Sequence, residues 1–84
     1  MIIKVLGEYV AITTSGDTVN DSVLVRLHAV ANTEVQISDP VANTVIGSFV
    51  ISEGYSEIVE KKSTDLIVAG SDDVLTGTPI AYKS

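Results

Sequence analysis

Between Val23 and Val30, apolar and mixed positions alternate along the chain. Val23, Val25, Leu27 and Ala29 fall on one face, and Leu24, Arg26, His28 and Val30 on the other. A period of two, rich in β-branched residues, predicts a half-buried β-strand. Shorter runs with the same character recur: Ile2 to Leu6, Tyr9 to Thr13, Glu34 to Ser38, Val45 to Ile51, Glu57 to Glu60, Asp65 to Ala69 and Gly77 to Tyr82. The one helical candidate, Asp72 to Leu75, is too short to matter.

Turn chemistry separates these runs. Ser15-Gly16-Asp17-Thr18, Ala31-Asn32-Thr33, Ala42-Asn43-Thr44 and Gly70-Ser71-Asp72-Asp73 are turn clusters. Pro40 lacks an amide donor and marks a strand end. By the same rule Pro79 places the last strand at a sheet edge. Gly47 inside a strand signals a bulge or a close backbone approach. Ser52-Glu53-Gly54-Tyr55 reads as a tight hairpin turn, with Gly54 supplying positive φ and Glu57 to Glu60 returning.

Seven or eight short, mainly antiparallel strands with regular turns predict a small all-β domain. Residues 1–84 are expected to form one β-sandwich, Ig-like or jelly-roll-like, with Greek-key, jelly-roll and barrel connectivities all compatible with these strands. A chain of 84 residues buries roughly 60% of its unfolded surface, so its own core gives modest stability. Cysteine is absent, which excludes disulfides and thiolate zinc sites. With 45% hydrophobic residues and a mean hydropathy of +0.38, the composition predicts an assembly that hides apolar surface against a neighbour.

A net charge of −6 argues against nucleic-acid binding, which needs a basic stripe. Lys61-Lys62, the one adjacent basic pair, reads as a solvated turn. No run approaches the roughly 18 apolar residues of a membrane helix. The start, Met-Ile-Ile-Lys-Val-Leu-Gly-Glu, lacks the features of a secretory signal. A mature chain beginning at Met1 and made in a cytosol is therefore expected.

Candidate chemistry is sparse. His28, the single histidine, sits mid-strand beside Arg26 and reads as structural or surface-lying, although serines and aspartates that could complete a triad are plentiful. Asp72-Asp73, Asp17 and Asp21 lack the alternating spacing of a calcium loop and read as solvated turn acids. Glu57, Glu60 and Asp65 beside Lys61 and Lys62 read as a mixed-charge surface rather than a glycosidase pair. Asn20-Asp21-Ser22 matches a glycosylation acceptor by chance. No catalytic residue, cofactor or metal is expected. Among the aromatics Tyr9, Phe49, Tyr55 and Tyr82, Phe49 reads as core, and Tyr55 at a hairpin tip is the candidate interface anchor.

From Val25 to Tyr82 the chain also resembles small virion proteins of tailed, particularly marine, bacteriophages. The likeness runs in order through Val25-Arg26-Leu27, Val45-Ile46-Gly47-Ser48-Phe49-Val50-Ile51, Glu53-Gly54, Ile58-Val59-Glu60-Lys61-Lys62-Ser63-Thr64-Asp65 and Thr78-Pro79-Ile80-Ala81-Tyr82. It covers about two-thirds of the chain and carries no catalytic residues. It implies a non-enzymatic virion component assembled in the host cytoplasm: a capsid decoration or cement protein, or alternatively a tail, neck or fibre component. The partners would be the major capsid protein, another virion protein or further copies of the chain, with no nucleic acid and no membrane. Tyr55, Tyr82 and Ile80 are the candidate interface residues. A reading of another class is a carbohydrate-binding or adhesion module.

Overall fold

In the computed structural model, which describes residues 2–83, eight antiparallel strands form two sheets. The strands are β1 (Ile2–Val5), β2 (Val10–Ile12), β3 (Leu24–Ala29), β4 (Thr33–Asp39), β5 (Thr44–Ile51), β6 (Ser56–Glu60), β7 (Leu66–Ala69) and β8 (Leu75–Lys83). The larger sheet runs β1-β8-β3-β6, with β2 joining the same side of β8 as β1. The smaller runs β5-β4-β7. The all-β sandwich expected from the alternation is therefore present, and the described residues contain no helix. Met1 lies outside them.

The core is the meeting of the two inner faces. Val25, Leu27 and Ala29 of β3 and Leu75 of β8 face Val35 of β4, Ile51 of β5 and Ile67 and Ala69 of β7. Val25, Leu27 and Ala29 alternate with Leu24, Arg26 and His28 as the sequence period requires. Phe49 packs half-buried against this core. Val23 and Val30, the ends of the expected strand, lie outside β3 and are exposed. Asp72 to Val74 form a turn, and Leu75 opens β8.

Pro79 corrects the expectation of an edge strand. β8 is internal, with β3 on one side and β1 and β2 on the other. Those two short strands are one broken strand: β1 covers Ile80 to Lys83, β2 covers Leu75 to Gly77, and the break lies opposite Thr78 and Pro79. The Pro79 carbonyl accepts a hydrogen bond from Leu6 N at 2.9 Å on that side. A strand residue aims its N–H and C=O the same way, so the donor that proline lacks would face the break. A central proline costs little where the neighbouring strand has already stopped.

The turn at Ser52–Tyr55 corrects a second expectation. Gly54 has the positive φ read for it, at 82°. Yet β5 and β6 do not pair; β5 belongs to the small sheet and β6 to the large one. The turn is an arch between sheets. Ala29 captures it from both sides: Gly54 N donates to the Ala29 carbonyl at 2.8 Å, and Ala29 N donates to the Tyr55 carbonyl at 3.1 Å. Local turn chemistry set the reversal, and β3 then took the returning strand.

Gly47 does mark a bulge. Ile37 pairs with Gly47 and Ser38 with Val45, which leaves Ile46 as the extra residue on β5. The slip moves Val45 onto the face opposite the one its distance from Phe49 would give it. Val45 then shares the outer face with Ser48 and Val50, the partners of Gln36 and Glu34 being on that face too.

Candidate interaction surfaces

The β4–β5 hairpin exposes a run of apolar side chains, as does the segment from Ile2 to Tyr9. The hairpin turn is held by Asp39, whose Oδ1 accepts from Val41 N at 2.9 Å and Ala42 N at 3.2 Å. That Asx-type geometry projects Val41 outward, 91% exposed. Along β5, Val45 and Ile46 are more than half exposed and Val50 is 70% exposed. Scattered exposed valines are ordinary, but several within the charge-free stretch from Pro40 to Ile51 leave apolar surface that water penalises. The run Val45 to Ile51 reads in the sequence as a strand; the sheet order places it at an edge.

The three residues expected at an interface are separated. Tyr55 is 67% exposed at the tip of the inter-sheet arch, against the Ala29 end of β3. Tyr82 is about half exposed and pairs with Ile3, beyond the Leu24 end of β3. The two tyrosines therefore sit at opposite ends of the large sheet. Ile80 is 1% exposed, which corrects its place among surface contacts. Leu24 and Val5 pair with it from either side and their side chains share its face.

His28 and Ser56 pair across β3 and β6 on the outer face of the large sheet. His28 Nδ1 lies 2.8 Å from Ser56 Oγ, and Arg26 Nη2 donates to the same oxygen at 3.1 Å. The cluster joins a hydroxyl to an imidazole. It sits on an open sheet face, and no carboxylate among the described residues hydrogen-bonds the ring. A guanidinium and an imidazole sharing one hydroxyl tie two strands together.

Lys61 corrects the reading of a solvated basic turn. It is 7% exposed, and its Nζ donates to the carbonyls of Lys62 at 3.1 Å and Ser63 at 3.3 Å. Burial pushes its pKa below the usual lysine value, against the opposing pull of Asp65, Asp21 and Asp17. Asp65 is buried as well and accepts from Lys62 N through Oδ2 at 3.2 Å. The mixed-charge surface expected here is thus partly internal.

Beside Lys61 the chain makes a left-handed turn. Val19, Asn20 and Asp21 have φ of 53°, 56° and 54°. This conformation costs an L-residue roughly 1–2 kcal/mol, and a β-branched one most of all. Burying the Val19 side chain completely against the core offsets that cost by about 1.5–3 kcal/mol. Asp17 Oδ1 fastens the turn by accepting from Val19 N at 2.6 Å. Asp17 also bridges to Ile67 through its backbone, so it is a structural acid rather than a solvated one. The strain serves packing.

Leu6, Val23, Leu24, Pro79 and Ile80 line an open, mainly apolar depression bordered by this turn. Among the described residues no cluster of three metal-ligating side chains occurs, and every buried side-chain nitrogen or oxygen has a hydrogen-bond partner. Among the described residues no helix is long and apolar enough to cross a membrane. No protein-family model matches the chain, and neither a curated protein nor a solved structure matches it significantly.

Proposed function

We propose that the chain is a non-enzymatic structural component of a bacteriophage virion, a decoration protein that docks on the assembled head and stabilises it. The observation that carries this reading is the β4–β5 hairpin, which presents Val41, Val45, Ile46 and Val50 to solvent on a segment without a charged side chain after Asp39. A small domain with an apolar projection gains free energy by covering it. The ordered likeness to phage virion proteins supplies the class of partner, a major capsid protein repeated over a lattice. Many identical, individually modest contacts then act together.

A thermal-rupture assay on purified heads tests the proposal. A ligand that binds the assembled state alone raises its melting temperature. Heads carrying the protein should rupture at a higher temperature than heads lacking it, and its copy number should scale with the capsid lattice. Equal rupture temperatures would overturn the decoration role. A copy number fixed at that of a single portal or tail ring would move the protein to the neck or tail.

A further inference from the structure

We propose that the outer face of the large sheet binds a sugar acid, a pyranose carrying one carboxylate. The site is the patch where β6, β3 and β8 lie side by side, with Arg26 and His28 at its centre. It belongs to the other sheet from the β4–β5 hairpin and goes beyond the role proposed for that hairpin.

Strand register composes the patch. His28 pairs with Ser56 of β6 on one side and Thr76 of β8 on the other, and Arg26 pairs with Ile58 and Thr78. Directly opposed residues share a face, so these side chains form two adjoining rows. Two strand spacings by one two-residue repeat give an area of roughly 10 by 7 Å, the footprint of a single pyranose with its substituents. The one arginine and the one histidine of the chain thus stand among the hydroxyls of Ser56, Thr76 and Thr78. Arg26 is exposed, and His28 and the hydroxyl residues are half-buried.

The chain has eleven acidic residues, yet Arg26 Nη2 donates to Ser56 Oγ and, among the described residues, the guanidinium bonds no carboxylate. Neighbouring carboxylates stand apart. Glu60 pairs with Leu24, one row further along β3, and Glu57 pairs with Leu27 and so shares the opposite face. Glu8 lies in the break between β1 and β2, beyond β8 from Arg26. A guanidinium carries only donors, and Ser56 occupies one corner of it. The rest of the fork fits a carboxylate bidentately. Ser56 Oγ, 2.8 Å from His28 Nδ1, leaves Nε2 directed away from the serine and open to a ligand.

The surroundings select the occupant. Backbone groups of β3 are spent on the ladders to β6 and β8, so an acidic peptide lying here would leave its own amides without partners. A polyanion is repelled by a net charge of −6. A sugar acid brings a single charge and several hydroxyls that both donate and accept, as those of Ser56, Thr76 and Thr78 do. Its ring C–H groups have Ile58, 40% exposed, to rest on.

Titration of the isotope-labelled full chain with glucuronic acid, followed by amide chemical shifts at fixed pH, tests this. Saturable shifts centred on Arg26, His28, Thr76 and Thr78 are expected. Glucose lacks the carboxylate and acetate lacks the hydroxyls; each should bind about tenfold more weakly or worse, the scale of one lost charge-assisted hydrogen bond. Arg26→Lys keeps the charge and removes the fork, and should weaken glucuronate binding by a similar factor while the melting temperature holds. Absence of saturable shifts would overturn the proposal. So would acetate binding as tightly as glucuronate, which marks an adventitious ion only, or an R26K chain that binds as well as the parent. A stronger response to a glutamate-rich peptide or to polyphosphate would replace the sugar acid with that partner. Shifts are read on the isolated chain and rupture on heads, so failure of one reading leaves the other standing.

Discussion

A Cβ built on Gly77 would lie 2.8 Å from Ile12 Cδ1 and 3.2 Å from both Val19 Cγ2 and Val25 Cγ1. Gly77 faces the interior of the large sheet, where β2, β3 and the left-handed turn converge on β8. Its φ is unexceptional; the missing side chain is what the site requires. Gly77→Ala should destabilise the fold by about 1–2 kcal/mol through overpacking. Ile12→Val removes the closest atom and alone should cost about 0.5–1.5 kcal/mol. Placed together, the two substitutions should cost less than their sum, because each relieves the other. Urea denaturation of the four proteins measures the coupling, and strict additivity would refute the close contact.

Asp17 holds the strained turn through Val19 N at 2.6 Å. Asp17→Ala leaves that amide without its charged acceptor and should cost about 1.5–3 kcal/mol. Asp17→Asn keeps an acceptor oxygen and should recover part of the loss. Equal urea midpoints for Asp17→Ala and the parent chain would show that the turn stands without this contact.

Lys61 gives the fold a dependence on alkaline pH. Its pKa is lower folded than unfolded because burial disfavours the ammonium. Between the two values the unfolded chain binds more protons, so this contribution to stability rises with pH. The penalty is complete below the folded pKa and vanishes above the ordinary lysine value of 10.5. Lys61→Met removes the titrating group. The stability of the parent relative to Lys61→Met should therefore climb as pH approaches the ordinary lysine range. Denaturation curves over a pH series check this; a constant difference would show that Lys61 does not titrate abnormally.

Ser56→Ala should change stability by less than about 1 kcal/mol, since the contacts to His28 and Arg26 lie near the surface. On an open sheet face Ser56 should also fail to react with a fluorophosphonate, the probe for activated serines. Covalent labelling at Ser56, lost in His28→Ala, would revive an acyl-transfer reading of the pair.

The inner face of β3 was legible in the sequence because Val25, Leu27 and Ala29 keep strict two-residue spacing. Gly54 and Gly47 were legible because each marks a local backbone need, a positive φ and a bulge. Pairing partners were not. The turn chemistry of Ser52–Tyr55 cannot state that Ala29, far away in sequence, will claim the arch. The proline rule counts a missing donor at Pro79 but not where the neighbouring strand breaks. Lys61 reads as solvated because its neighbours are polar; the fold instead buries it and gives its ammonium the carbonyls of Lys62 and Ser63. The candidate surface was half legible: Tyr55 was found by its turn, whereas the exposure of β5 depends on sheet order.

The central place of β8 also bears on how the chain reaches its native state. β1, β2 and β3 all take hydrogen bonds from the strand that leaves the ribosome last of the eight. The large sheet therefore has no middle during most of synthesis, and its closure is a late, non-local and slow event. The small sheet joins β4, β5 and β7, all of which precede β8, so its pairing does not wait on that strand.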